Sequence, residues 1–365
     1  MTEPNTLITG YYGMNNFGDD LFVYCGLNGL LNLGFETVAL APKVIGVDEE
    51  RCIVTNEKYN LNGLFNSSKR FFKKTKSLIS YDNVIFCGGS IYSDISKARK
   101  IQHNLMIAKN VNIGAISVSV GPFISIKEEK RVESVLKKYK FLSVRDQQSF
   151  NLVSEMNLPY QPILTTDIAG TYRTANHKFL NRGQIDKVEV IGVALCSEMN
   201  MKEQEKQAQN NFIDLISKVC NSRNVKVRVF EMNGHKINGD HIINEKLVSK
   251  IKPDNIEYIP YSSGIHTIND KISKCDFMFC SRLHAGIMSY MANVPFVLFE
   301  YHKKCTDFLD YIKNPYRLNF TNDFLTCFRM LNNFIDSKEY PEMDNKEYRL
   351  NAEKSFSLIK EALSC

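Results

Sequence analysis

Short apolar runs, rich in β-branched and aromatic residues, alternate with amphipathic stretches through most of the chain. TLITG (6–10), ETVALA (36–41), NVIFCG (83–88), IGAISVSVG (113–121), FLSVRD (141–146) and QPILTTD (161–167) read as strands. Asp19–Asn32 and Glu128–Lys140 between them have the spacing of helices. Strand and helix in strict alternation predict parallel β-α-β units. The polar, aperiodic stretch 171–187 breaks the rhythm and reads as a linker. The alternation then restarts, with strands at 188–196, 226–232, 255–261, 275–280 and 295–301, a helix over Lys206–Cys220, and a charged helical tail from Asp336 to Cys365. The pattern therefore predicts an α/β protein of two doubly wound, Rossmann-like domains, 1–175 and 186–335, with the tail 336–365 packing back across them. Ligands of such sheets bind beyond the carboxyl ends of the strands. Two of them facing each other would put the site in a cleft between the domains.

Composition agrees with this picture and narrows it. A chain of 365 residues, 44% hydrophobic, is long enough for two cores, since one domain usually holds about 100–200 residues. Lys and Arg exceed Asp and Glu by 46 − 40 = 6. That mild excess, spread along the chain, is unlike a nucleic-acid-binding stripe and suits a protein that handles anions. The ten cysteines form no Cys-x-x-Cys pair, and several lie inside apolar runs, the usage expected of reduced thiols in the cytosol. The first residues, MTEPNTLITGYYG, lack the basic and apolar regions of a signal peptide. No apolar run approaches the roughly 20 residues that span a bilayer. A cytoplasmic location is expected, and a membrane-bound substrate would be met from the cytoplasmic face. One stretch, Leu64–Lys76, mixes Lys69, Arg70, Lys73, Lys74 and Lys76 with Phe65, Phe71 and Phe72. It reads either as a solvated helix face with its aromatics turned inward or as a surface that lies on anionic lipid.

Candidate chemistry sits at strand-to-helix turns. CDFMFC ends at Cys280, and Arg282 and His284 follow at the start of a helix-like run. Free backbone N–H groups and the helix dipole favour an anion there. Arginine adds a planar fork for carboxylate or phosphate, and histidine a proton carrier near neutral pH. The next unit places His302, Lys303 and Lys304 after PFVLFEY. Cations at a helix start oppose the dipole unless an anion lies between them, although they also read as plain surface lysines. Near the N-terminus, GYYGMNNFGDD follows a strand and supplies Asn16, Gly18 and Asp19. Its spacing is neither a dinucleotide fingerprint nor a Walker loop. Asp19 seats well in a first helical turn, or stands beside a substrate hydroxyl. Gly88-Gly89-Ser90 and Arg145 close two further strands. The seven histidines are scattered, so no metal site is expected, and no Gly-x-Ser-x-Gly elbow occurs.

These elements, in this order, resemble the polysaccharide pyruvyl transferase family over roughly residues 8–312. The matching residues are Gly10-Tyr11-Tyr12-Gly13, Asn16-x-Gly18-Asp19, Gly88-Gly89-Ser90, Val120-Gly121-Pro122, Val144-Arg145-Asp146-x-x-Ser149, Thr166-Asp167 and Ser281-Arg282-Leu283-His284-Ala285, leading to Pro295 and Tyr301-x-Lys303. The family often shows three glycines where this chain has Gly88-Gly89, and a glutamate in place of Asp20. The resemblance implies a glycosyltransferase-B-like fold and transfer of a pyruvyl group from phosphoenolpyruvate to a sugar of a cell-surface polysaccharide or its lipid-linked precursor. The product would be a cyclic ketal, with phosphate released. It implies donor contacts from Arg282 and Arg145 and substrate binding by Lys303, with Asn16, Gly18, Gly88, Gly89 and Ser90 lining the substrate site. His284 would be the phosphate or proton partner, and Asp19 would orient or deprotonate the acceptor. The first domain would face the acceptor and the second the donor. No cofactor or metal is implied, and the partners are phosphoenolpyruvate, a glycan and, peripherally, the inner membrane surface, but not nucleic acid. A glycosyltransferase or epimerase using a nucleotide sugar is the alternative for the same architecture. A non-catalytic module of a polysaccharide-assembly complex is a further one.

Overall fold

The computed structural model describes residues 5–53, 64–173, 188–196, 203–223, 225–314, 317–319, 329, 332, 333, 335, 336 and 343–363. Most of the expected linker, 174–187, lies outside them. The chain divides into two compact units: Met1–Met14, Asp19–Tyr172 and Lys346–Cys365 form the first, and Asn15–Gly18 with Arg173–Asn345 the second.

In the first unit the elements run β1 (Thr6–Thr9), α1 (Phe17–Asn32), β2 (Thr37–Ala39), α2 (Leu64–Leu78), β3 (Asn83–Cys87), β4 (Ser90–Tyr92), α3 (Lys97–Ala108), β5 (Asn112–Val120), α4 (Ile126–Leu136), β6 (Phe141–Val144), α5 (Gln147–Glu155) and β7 (Ile163–Leu164). The strands are parallel in the order β2-β1-β3-β5-β6-β7, with β4 beside β5. Every residue of β1, β3 and β6 is buried. Helices on both faces of a parallel sheet demand such continuous apolar runs. The short β4 was not expected. Gly88 and Gly89 both take positive φ, 70° and 88°, a backbone open to glycine at no steric cost, and the turn they make sends Ser90–Tyr92 alongside β5.

The last helix, α11 (Asn345–Leu363), belongs to this unit from Lys346 onward. Thr166 Oγ1 donates to the Tyr348 carbonyl at 2.7 Å, and the Ser143 and Ser355 hydroxyls pair at 2.8 Å. Gly29 and Gly170 leave the room that the Phe356 and Tyr348 rings occupy.

The second unit repeats the plan: β8 (Val190–Ala194), α6 (Glu203–Arg223), β9 (Lys226–Phe230), α7 (His241–Val248), β10 (Ile256–Ile259), α8 (Gly264–Ser273), β11 (Phe277–Cys280), α9 (Leu283–Met291), β12 (Phe296–Phe299), α10 (Lys303–Tyr311) and β13 (Arg317–Leu318). Its parallel order is β10-β9-β8-β11-β12-β13, the doubly wound order of a Rossmann sheet. The order reverses between β8 and β11, and a ligand crevice opens at such a switch point. The first unit reverses between β1 and β3, where the Gly10 and Gly88 turns begin.

A polar chain runs through the first core. His103 is fully buried. Its Nδ1 lies 2.7 Å from the Arg99 carbonyl, which can only accept, so Nδ1 carries the proton. Nε2 then accepts from the Tyr139 hydroxyl at 2.7 Å, and Tyr139 accepts from Tyr92 at 2.8 Å. The imidazole stacks on Phe86 and Tyr139. Burial pulls its pKa down to about 4 from an ordinary 6.5. The unfolded chain therefore binds a proton that the fold refuses, and stability falls as pH drops from 6.5 towards 4. Urea unfolding across that interval should show this decline, and His103→Gln should flatten it relative to the parent.

Candidate functional site

The second unit's switch point is laced by hydrogen bonds. Beyond β11, the Ser281 N–H donates to the Ala194 carbonyl at 2.9 Å, and the Ser281 hydroxyl accepts from the Cys196 N–H at 2.7 Å. The ends of β8 and β11 are thereby fixed together, and Arg282 emerges between them. It occupies the residue before α9 in an extended conformation, φ −91° and ψ 121°, and its side chain does not cap the helix. The Ala285 N–H donates to the Arg282 carbonyl at 3.1 Å, closing the first turn of α9, and the positive end of the helix dipole opens here.

The Arg282 side chain turns to Asp240. Nε donates to Asp240 Oδ2 at 3.0 Å, and Nη2 donates to Oδ1. Asp240 is fully buried. Its Oδ2 also accepts from the N–H groups of Met232 and Asn233, at 3.2 and 2.9 Å. Burial alone would loosen the Arg282 proton, but the Asp240 carboxylate outweighs it and holds the guanidinium above its ordinary value. Arg282 is thus a permanent, oriented cation. Its other edge, formed by Nη1 and the second N–H of Nη2, donates to no described residue.

The Asp240 loop also carries the N-terminal segment. Asn16 bridges to Asn233, Phe17 N–H donates to the Met232 carbonyl at 2.9 Å, and Gly234 N–H to the Asn15 carbonyl at 2.8 Å. Asn16 Oδ1 accepts from Gly18 N–H at 3.2 Å, capping α1. A Cβ on Gly18 would overlap the His284 imidazole. The requirement at Gly18 is therefore space for the histidine, not backbone freedom. Asn16, Gly18, Arg282 and His284 are brought into one neighbourhood. Lys303 is turned to Asp307, one helical turn on, on the exposed side of α10. His302 caps that helix through Nδ1, which accepts from Lys304 N–H at 3.2 Å, so the start of α10 is capped despite its lysines.

In the first unit, Arg145 is a clamp. Nε donates to Ser119 Oγ at 2.9 Å, Nη1 to Asp167 Oδ2 at 2.6 Å and Nη2 to Ser90 Oγ at 3.1 Å. The guanidinium also lies over the Phe22 ring, 5.7 Å from its centroid. Each nitrogen has a protein partner, so Arg145 ties the Gly88-Gly89-Ser90 turn to the ends of β5, β6 and β7. Asp19 is buried in the first turn of α1. It faces Tyr12, whose hydroxyl donates to the Cys87 carbonyl at 2.8 Å and is pushed well up by burial. Among the described residues no three His, Cys, Asp or Glu side chains converge as metal ligands.

Asp240 is the residue that sequence reasoning missed. It stands where a helix N-cap would, yet its side chain makes no capping bond to α7. The available signal was indirect: an arginine buried at a strand end needs a carboxylate, and Glu231 and Asp240 are the two acids of the segment 231–240. Removing one partner strands the other's charge. Asp240→Ala should therefore cost about 3–5 kcal/mol, whereas replacing both partners, as Asp240→Leu with Arg282→Met, should recover much of it. Denaturant unfolding of the single and double variants reads this directly.

None of the curated proteins matches the chain. Among solved structures, a putative UDP-N-acetylglucosamine 2-epimerase from Listeria monocytogenes aligns over 99% of this chain and 97% of its own, at 11% identity and a TM-score of 0.63. A UDP-GlcNAc 2-epimerase from Methanocaldococcus jannaschii aligns over 98% and 99%, at 9% identity and 0.62. A glycosyltransferase from Rickettsia africae aligns over 99% of each chain, at 11% identity and 0.58. At such identities the likeness is one of fold, the two parallel-sheet α/β domains of the glycosyltransferase-B type. The family model for polysaccharide pyruvyl transferase, in contrast, matches the sequence itself over residues 16–303. That span runs from the Asn16 cap to Lys303 and takes in Arg145, Asp240, Arg282 and His284, and the chain belongs to the polysaccharide pyruvyl transferase family.

Proposed function

We propose that the protein transfers the pyruvyl group of phosphoenolpyruvate to a sugar of a polysaccharide or its precursor, closing a cyclic ketal and releasing phosphate. The observation that carries this reading is the outward edge of Arg282. A guanidinium locked by a buried carboxylate, set at a helix N-terminus beside a histidine, suits a small ligand bearing both carboxylate and phosphate. Because Asp240 fixes it before any ligand arrives, little ordering remains to oppose binding.

The chemistry balances with protons alone. A general acid protonates the methylene carbon of phosphoenolpyruvate, breaking the C=C π bond and leaving oxocarbenium character at C2. A sugar hydroxyl adds to C2 and gives its proton to a base. A second hydroxyl of the same sugar forms the other C–O bond as the C–O bond to phosphate breaks, and its proton leaves with the phosphate. In this scheme Arg282 and the first amides of α9 hold the donor's anionic groups and stabilise the leaving phosphate. His284, with its ring beside Gly18, binds phosphate or carries a proton. Asp19 orients or deprotonates the acceptor. Arg145 acts at one remove, by holding the Gly88-Gly89-Ser90 turn, and Lys303 is assigned to long-range attraction of the anion.

The competing use of the same fold is binding of a nucleotide sugar, and calorimetry separates the two. Phosphoenolpyruvate should bind saturably without any nucleotide. Arg282→Lys, which keeps the charge but loses the fork, should weaken it about tenfold to a hundredfold, the worth of charge-assisted hydrogen bonds. Tight binding of a uridine diphosphate sugar with no phosphoenolpyruvate signal would overturn the proposal. With an acceptor in hand, His284→Ala should lower phosphate release by about 10²–10⁴-fold.

A further inference from the structure

Two helices of the first unit present an outer surface that the chemistry above does not use. On α2, Lys69, Phe72, Lys73 and Lys76 are all exposed, at the spacing of one helix face, while Thr75 and Leu78 point inward. Phe72 is 69% exposed. On α3, Lys97, Ile101, Asn104, Leu105 and Ala108 form the outer face, while Gln102, His103 and Met106 are buried. Ile101 and Leu105 are 50% and 39% exposed. The helices are joined by Gln102 Nε2 donating to Thr75 Oγ1 at 3.2 Å, so their outer faces are neighbours.

The charge on these helices is one-sided. Together they carry Lys69, Arg70, Lys73, Lys74, Lys76, Lys97, Arg99 and Lys100, and neither contains an aspartate or glutamate. This is not simply the chain's basic balance. The next helix, α4, has Glu128, Glu129 and Glu133, and pairs Lys137 with Glu133. Burial, and then the nearby Arg99, pull the Lys74 ammonium below its ordinary range.

We propose that the joined outer faces of α2 and α3 dock the protein peripherally on an anionic lipid surface. Phe72 stands among lysines on α2, and on α3 Ile101 and Leu105 lie one helical turn apart beyond Lys97 and Lys100. These apolar groups match insertion of one aromatic and two aliphatic side chains among head groups, with lysine stems lying along the surface and ammonium groups at the level of the phosphates. Each such lysine adds attraction that fades within a Debye length. No helix among the described residues is long and apolar enough to cross a bilayer, so the contact is peripheral.

The test is co-sedimentation of the full chain with vesicles of phosphatidylcholine alone or mixed with phosphatidylglycerol, without phosphoenolpyruvate, so that the outcome is independent of the donor's identity. Binding should require phosphatidylglycerol and weaken with added salt. It should fall about fivefold for each of Lys69, Lys73 and Lys76 changed to glutamine, and further with Phe72→Ser. These positions are exposed, and an unchanged thermal melt verifies folding. No binding to the mixed vesicles would overturn the proposal. So would equal binding to neutral vesicles, binding retained in the triple variant, or loss with the lysines but not with Phe72→Ser, which marks a general polyanion site.

Discussion

The buried ion pair between Arg282 and Asp240 is the constraint around which the strand ends of the second unit are arranged. A carboxylate with no exposure is tolerable only when its oxygens are filled, and Asp240 fills them with a guanidinium and two backbone N–H groups. Those bonds shape the loop after β9. That loop in turn holds Asn15–Phe17 by backbone pairing, and Gly18 follows against His284. Residues far apart in sequence thus share one dependence. The buried carboxylate converts the flexible side chain of Arg282 into a fixed feature of the strand ends.

Much of the fold was legible because parallel sheets write themselves plainly. Runs such as NVIFC and FMFC are buried on both faces and flanked by turn residues, so strand positions and the α/β class followed from the pattern. The short elements were not legible. Ser90–Tyr92 becomes a strand only because two glycines with positive φ turn the chain beside β5, and no local periodicity reports that. At the site, Arg282 and His284 announced themselves by standing together at a strand end. Asp240 did not, because an aspartate before a helix is the ordinary mark of a cap and its partner lies 42 positions away. Arg145 was legible as a residue at a strand end but not as a clamp, since Ser90, Ser119 and Asp167 meet it only in the folded sheet.

The likeness to epimerases and a glycosyltransferase, beside membership of a pyruvyl transferase family, separates architecture from chemistry. A doubly wound sheet supplies a crevice at its switch point whatever the reaction. The chemistry rests with the side chains that each chain sets there. In this chain they are a fixed guanidinium, a helix start not capped by the side chain before it, and an imidazole packed against a glycine.

The division of the chain has a consequence for its synthesis. Asn15–Gly18 belong to the second unit although first-unit residues flank them, and the first unit is completed by residues from Lys346 onward. Neither unit is one continuous piece of chain. As the polypeptide emerges, the first sheet can assemble early, but Ser143, Thr165 and Thr166 wait for Ser355 and the Tyr348 carbonyl. The segment 15–18 waits for Asn233 and Gly234, more than 200 residues later. Domain-by-domain folding in the order of synthesis, open to proteins whose domains are beads on a string, does not describe this one, because the first unit is completed by residues made after the whole of the second. Cutting the chain between Tyr172 and Arg173 should yield fragments that each lack a part of their own unit.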